Sequence, residues 1–328
     1  MQLPNQSEIK TRELDNIRHN LKPFTPFLND SKLTDIFCST KGRVSIKRFG
    51  HEIIDTDLVI PVSHRFQILN QTAKYMEMNI NFNHYPVLEA TIPVPEWKNA
   101  RITGIFPPWF EEPGFTIRKP PDKIYTLEEY KAAGQLTSDR YDIIVNYLKH
   151  KKNIIVAGST GSGKTTMINA LIKKKLEFYP NDRYFIVQDV SELQCNAKYA
   201  DIIVLRTEQA IMAVSLSLRY SPDTIIFGEV RKGNVMAELL DAWNTGHPGG
   251  LTTIHSNSSS LTLVRIKKLL LDHYLSENAL PDLNEYIDLI IYLQKNKKTG
   301  VIVNDVLEMG KSNVEELIRL HTPSMPSV

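Results

Sequence analysis

Apolar and polar positions change rhythm along the chain. The first 30 residues are polar, with a helix expected over Ser7–Leu21 and a break at Pro23 and Pro26. From Leu33 to Ile60 the pattern turns strand-like. Arg43-Val-Ser-Ile-Lys-Arg-Phe49 alternates as a half-buried strand does, between turns at Gly42 and Gly50. A helix is expected over His64–Met78. Pro86, Pro93, Pro95, Pro107, Pro108, Pro113, Pro120 and Pro121 then interrupt short β segments such as Arg101–Phe106 and Phe115–Arg118. Residues 1–118 therefore read as an α+β domain with an antiparallel sheet.

Lys119-Pro-Pro-Asp122 reads as the start of a linker spanning residues 119–130, because paired prolines stiffen a chain and cannot join a sheet. Beyond it, helical segments (Leu127–Ala133, Asp139–His150) lead to a short apolar strand, Asn153–Ala157. Further apolar strands follow at Tyr184–Val187, Ile202–Leu205 and Thr224–Phe227, with helical stretches between. This alternation predicts an α/β domain over residues 131–328, its mostly parallel sheet covered on both faces. His321–Val328 is expected to be a loose tail.

Composition narrows the function classes. The 328 residues carry 39 Lys+Arg against 37 Asp+Glu, and 42% are apolar, which excludes a largely disordered chain. The length suits two domains. The net charge of +2 argues against a dedicated nucleic-acid binder, and no direct sequence-specific nucleic-acid binding is expected. No apolar run approaches the ~20 residues of a membrane helix, and the N-terminus lacks a signal-peptide core, so a cytoplasmic protein is expected. Cys38 and Cys195 fit no metal or redox motif.

The strongest chemical signal is Gly158-Ser-Thr-Gly-Ser-Gly-Lys164-Thr165, a full G-x-x-x-x-G-K-[ST] match between an apolar strand and the helical stretch from Thr166. Glycines let backbone N–H groups ring a phosphate, Lys164 adds a point charge on the β and γ oxygens, and the Thr165 hydroxyl can ligate Mg²⁺. The motif implies a bound nucleotide but specifies neither its base nor hydrolysis. Hydrolysis needs a carboxylate and a cation nearby. Two acidic clusters follow strand ends, Gln188-Asp189-Val-Ser-Glu192 and Gly228-Glu229-Val-Arg231, where parallel sheets place ligands. An isolated acid after a strand is commonly a helix N-cap or a solvated turn, but two such sites sharing one P-loop domain weigh against that reading. In Thr245-Gly-His247-Pro-Gly-Gly-Leu-Thr-Thr-Ile-His255, two histidines bracket a glycine turn and a short apolar strand. A histidine there can be packed, solvated or in contact with a γ-phosphate, and a zinc site would need further ligands. The basic runs Lys173–Lys175 and Lys295–Lys298 read as solvated faces rather than a nucleic-acid groove, which leaves a DNA or RNA motor as the weaker rival.

Taken together, the segments resemble the secretion (traffic) ATPases, in the branch serving type IV secretion and bacterial conjugation. Gly158–Thr165, Gln188–Glu192, Ser221-Pro-Asp-Thr-Ile-Ile-Phe-Gly-Glu-Val-Arg231 and Gly246–His255 are similar to that family's Walker A loop, Asp box, atypical Walker B and His box, in that order. Asp241–Gly250 looks especially like the conjugal-transfer members, and Leu28–Ile36, Arg101–Pro108 and Phe115–Pro120 resemble the branch's N-terminal signatures. The likeness spans about residues 28–310. It implies a RecA-like P-loop domain preceded by a smaller α+β domain, a homohexamer, and ATP with Mg²⁺ bound between the domains. It also implies docking on inner-membrane components of a secretion channel, at the cytoplasmic face.

By matching position, Gly158, Ser159, Thr160, Gly161, Ser162, Gly163, Lys164, Thr165 and Thr166 would hold the nucleotide. Glu192 would polarise water, and Glu229 would join Thr165 in holding Mg²⁺, partly through water. His255 would contact the γ-phosphate, and His247 would be structural. Arg101 and Arg118 would reach the nucleotide from the N-terminal domain, with Arg206, Arg219 and Arg231 as weaker candidates. The chain departs from the family pattern at Ser221, Gln188 and Ser256, and it lacks the Cys₄ zinc module of the type II branch.

Overall fold

The computed structural model describes residues 6–48, 52–97, 100–120, 123–189, 192–205, 209–296 and 300–311. Phe49, Gly50, Pro121, Asp122, Val190, Ser191, Arg206, Lys297, Lys298 and the tail His321–Val328, singled out above, lie outside those residues. The chain divides between residues 122 and 123 into two compact units.

The first unit contains α1 (Gln6–Asn20), α2 (Thr25–Leu28), β1 (Leu33–Cys38), β2 (Arg43–Arg48), β3 (Ile53–Val59), α3 (Val62–Tyr75), β4 (Val87–Thr91), β5 (Arg101–Ile105) and β6 (Gly114–Arg118). Its strands form one six-stranded sheet, β3-β2-β1-β6-β5-β4, antiparallel throughout. Alternation along β5 sends Ile102 and Gly104 inward and leaves Arg101 and Thr103 on the other face. The inward face packs on α1 and α3 through Ile17, Ile36, Leu69, Leu88, Ile102 and Ile117. At Gly104 a Cβ would stand 2.3 Å from the Leu69 side chain, so only glycine lets α3 sit this close. Buried Arg65 on α3 ties the surrounding loops together. It donates to the carbonyls of Ser39, Thr40 and Pro113 and pairs with Glu112 at 2.6 Å.

The second unit contains α4 (Leu127–Ala132), α5 (Ser138–Lys149), β7 (Ile154–Gly158), α6 (Lys164–Phe178), β8 (Arg183–Gln188), β9 (Tyr199–Val204) and α7 (Ala210–Ser217). After these come β10 (Thr224–Phe227), α8 (Gly233–Asn244), β11 (Leu251–His255), α9 (Ser259–Tyr274), α10 (Leu283–Tyr286), β12 (Leu289–Asn296) and β13 (Gly300–Glu308). The seven-stranded sheet runs β13-β12-β7-β11-β10-β8-β9 and is parallel except where β13 pairs with β12.

The strand period explains the continuous apolar runs. Ile154 and Val156 of β7 meet Ile168 and Leu171 of α6 on one face, while Ile155 and Ala157 meet Leu240, Leu263 and Ile266 on the other. Leu127 and Tyr130, in the stretch expected to connect the domains, are buried in this unit's core. Thr126 and Glu129 start α4 with a reciprocal capping box. From the sequence no strand is named at the β12–β13 hairpin, and no bounds are set for helices α8 and α9.

Trp243 of α8 donates its indole N–H to the Ile225 carbonyl at 3.2 Å and packs against Gly250, where a Cβ would stand 1.9 Å from its Nε1. Gly250→Ala is therefore expected to destabilise the second unit by about 1–3 kcal/mol. The reading is a lower denaturant midpoint at unchanged slope, and an unchanged midpoint refutes it.

Candidate nucleotide-phosphate site

The site is assembled at the carboxyl edge of the parallel sheet. There β7, β11, β10 and β8 are consecutive neighbours, and each delivers a polar residue just past its last apolar one. β7 ends in the glycine loop. Gly161 (φ +67°) and Gly163 (φ +80°) take left-handed backbone conformations that L side chains resist, and Gly163 is the residue from which α6 starts. No side chain caps that helix end, and the Ser162 hydroxyl is buried without a hydrogen-bond partner. Both observations fit a cradle for an anion.

Lys164 opens α6 and is buried. Its Nζ donates to the carbonyls of Gly158 (3.1 Å) and Ser159 (3.3 Å) and to Nδ1 of His255 (3.1 Å). Among the described residues it pairs with no carboxylate. Burial holds its pKa below the usual lysine value and Arg231 adds to that, while Glu229 and Glu192 oppose. A desolvated ammonium on neutral acceptors favours an arriving anion.

His255 ends β11 opposite Gly158 in register. Its Nε2 stands 2.6 Å from Oε1 of Glu229, while Nδ1 faces Lys164. Burial, followed by the Lys164 charge, lowers the imidazole pKa, with Glu229 opposing. The neutral tautomer that fits accepts at Nδ1 and carries its proton on Nε2, the nitrogen nearer Glu229. The other Glu229 oxygen pairs with Arg231 at 2.7 Å, and Arg231 reaches on to Asp189 at 2.8 Å. Burial disfavours the Arg231 charge, but its two carboxylate partners outweigh that and raise its pKa. One chain of contacts, Lys164–His255–Glu229–Arg231–Asp189, thus crosses four adjacent strand ends.

Glu192 approaches from beyond β8. Its carboxylate makes no ion pair among the described residues, yet acts on Lys164 through space. Its backbone is fixed from two sides. The buried Gln188 side chain accepts from the N–H groups of Glu192 (2.9 Å) and Leu193 (2.7 Å). Asn169 of α6 donates to the Glu192 carbonyl (3.0 Å) and accepts from Gln194 N–H (2.9 Å). The sequence marked Gln188 only as a departure and gave no sign of Asn169; both act through folded proximity that a linear motif does not carry.

The other expected residues are distributed as follows. Thr165 and Thr166 lie half-buried in the first turn of α6. Arg101 and Arg118 belong to the first unit, where they are register partners on the open sheet face beside Asp35, Phe37, Lys47, Thr103 and Thr116. Each has its own carboxylate, Glu89 at 3.4 Å and Asp35 at 3.1 Å. The His247 ring bonds the Ala242 carbonyl at 3.1 Å, at the end of α8. Arg219 is exposed on a short 3₁₀ turn, whereas Arg231, ranked among the weaker candidates, sits inside the contact chain. Among the described residues no cluster of His, Cys, Asp and Glu could hold a metal by itself. Cys38 is buried, and desolvation pushes its thiol up to about 11.

The run Lys173–Lys175 is not the uniform solvated face expected. Lys174 pairs with Glu128 and Glu177, and Lys175 is buried, donating to the Gly249 carbonyl so that α6 holds the glycine turn before β11. Burial pushes the Lys175 pKa down to about 7.

The profile of the family described as "Type II/IV secretion system protein" matches residues 83–298. The chain is 32% identical over 286 residues to the conjugal transfer protein TrbB of Rhizobium radiobacter, covering 86% of this chain and 85% of that one. It is 29% identical over 283 residues to the type IV secretion system protein VirB11 of Bartonella henselae, covering 73% and 76%. Among solved structures, the Legionella pneumophila ATPase DotB superposes with a TM-score of 0.63 at 16% identity, over 92% of this chain and 84% of that one, a likeness of fold. The RecA-like α/β architecture expected above agrees with this neighbour.

Because burial and Lys164 hold the His255 imidazole below its ordinary 6.5, the unfolded chain binds that proton more tightly. The stability this residue contributes is complete above pH 6.5 and declines as pH falls below it. Urea unfolding at pH 7.5 and 5.5 is expected to show a smaller acid loss in His255→Gln than in the wild type. Equal losses would refute the assignment.

Proposed function

The chain belongs to the type II/IV secretion system protein family and is an ATP-hydrolysing member of it, a premise from which we propose that it powers a type IV secretion or conjugation apparatus as a ring of six copies. The observation that carries the reading is the buried Lys164, held by carbonyls and an imidazole but by no carboxylate among the described residues, with the Glu192 carboxylate close by.

In this reading the glycine loop and the α6 N-terminus take the β- and γ-phosphates, and Lys164 turns from its carbonyls to their oxygens. The Glu192 carboxylate, carried on a backbone that Gln188 and Asn169 fix, orients the attacking water and accepts its proton. His255 contacts the γ-phosphate, with Glu229 behind its Nε2–H. Mg²⁺, bound with the nucleotide, would neutralise charge on the phosphate oxygens. The oxygen donors present, Thr165 and Glu229, fit an ion that keeps several waters. Arg101 and Arg118 reach the nucleotide from the N-terminal domain, so loss of the γ-phosphate removes charge-assisted bonds that favour closure. Nucleotide turnover is thereby coupled to movement of one domain against the other. The ring docks on inner-membrane components of the channel from the cytoplasmic side. Among the described residues no helix is long and apolar enough to cross a membrane.

Lys164→Ala is expected to lower ATP turnover at least about 10²-fold through lost phosphate stabilisation. Glu192→Gln is expected to keep ATP binding and lose about 10²–10⁴-fold in turnover. Steady-state phosphate release, with fluorescent-nucleotide binding alongside, decides both. Wild-type turnover in Lys164→Ala refutes the site, and wild-type turnover in Glu192→Gln moves the catalytic role elsewhere. Sedimentation with a non-hydrolysable ATP analogue is expected to give the mass of six chains; a monomer under all conditions refutes the ring.

A further inference from the structure

The β12–β13 hairpin is the flank of the glycine loop. A Cβ on Gly158 would stand 2.7 Å from the Leu293 carbonyl oxygen, and one on Gly163 would touch Val301 at 3.5 Å. One on Gly161 would stand 3.3 Å from Nζ of Lys295. The hairpin thus meets the loop at three glycines, and Lys295 is in register with Val301. Along β12 the residues through Leu293 are buried and those from Gln294 are exposed, so Lys295 extends past the sheet edge into solvent above the loop.

The position is electrostatically odd. The Lys295 ammonium makes no ion pair or hydrogen bond among the described residues. Its ammonium rests on a loop that already carries Lys164 and leads into the positive end of α6. At this contact like charge faces like. A bound polyphosphate reverses the sign of that contact. Lys295 and Asn296 are exposed, as expected of a solvated basic run, but that expectation does not place Lys295 beside the glycine loop.

We propose that Lys295 is a second phosphate-binding lysine, contacting from the hairpin the polyphosphate of the nucleotide that the glycine loop holds. The inference rests on the reading of this loop as the ATP site. Its ligand class is the di- or triphosphate chain, independent of the base. Lys295 remains hydrated, so its contact is weaker than that of buried Lys164 and adds to affinity rather than creating the site. The charge matters more than the shape, so arginine is expected to replace it.

The experiment is titration of a fluorescent ADP and a non-hydrolysable fluorescent ATP analogue into the full chain, as wild type and as Lys295→Ala, Lys295→Arg and Lys295→Glu. Inorganic tripolyphosphate and adenosine serve as competitors. One lost charge-assisted contact at an exposed site predicts about five- to tenfold weaker ATP-analogue binding in Lys295→Ala. A larger loss is expected in Lys295→Glu and near wild-type affinity in Lys295→Arg. Competition by tripolyphosphate is expected to weaken in step with the ATP analogue, while competition by adenosine stays unchanged. Affinities within twofold of wild type in both Ala and Glu variants, at unchanged melting temperature, overturn the proposal. So does an equal loss in Lys295→Arg and Lys295→Ala, because charge would then not be the cause. A wild-type chain that binds no adenine nucleotide refutes the reading of the loop itself and takes this inference with it. Wild-type binding with an indifferent Lys295 refutes only the inference.

Discussion

Burial of the Lys164 ammonium governs the second unit. Taking a lysine charge out of water is costly unless hydrogen bonds and an opposite charge compensate. Here two loop carbonyls and an imidazole supply the hydrogen bonds, and the nearest carboxylates act only at longer range. The compensation is therefore partial, and the surrounding structure must hold all three acceptors in place. That requires a glycine loop whose backbone takes left-handed angles, a strand β11 that brings His255 level with Gly158, and a hairpin backing the loop.

Sheet order converts this local requirement into a connected site. Strands β7, β11, β10 and β8 are neighbours in space but not in sequence order, so residues 26 to 91 positions apart meet at one edge. His255 bridges the ammonium to Glu229, and Arg231 bridges Glu229 to Asp189. Each member shares its partner with the next, so none can be replaced without leaving a neighbour with altered charge balance. The same packing fixes Glu192 by its backbone rather than by its side chain, and its carboxylate keeps out of the ion pairs that hold the other acids.

What could be read in the sequence follows from the range of the interactions. The glycine loop was legible because its chemistry is contained in eight consecutive residues, and β8 and β10 because apolar runs end in acids. Arg231 was legible only as a weak candidate, since its importance comes from touching Asp189, 42 positions earlier in the chain. Gln188 read as a departure from an acidic position. Yet an amide oxygen at that buried point accepts two backbone N–H groups without carrying a charge that would itself need compensation. The β12–β13 hairpin was missed because the run Leu289–Leu293 suits a buried helix or strand equally, and its partner β7 lies far back in the sequence.

The hairpin and the ammonium explain each other. Three of the six residues Gly158–Gly163 are glycines, which by itself would make the loop loose. The Leu293 carbonyl stands where a side chain at Gly158 would be and Val301 lies within van der Waals reach of Gly163, so the sheet backs the loop from outside. A loop held in this way can keep Lys164 on its carbonyls without a carboxylate to anchor it. A carboxylate there would hold the lysine more firmly and would also oppose any anion entering the cradle, whereas neutral acceptors yield to it. The choice of neutral partners is thus what keeps a buried charge both tolerated and available.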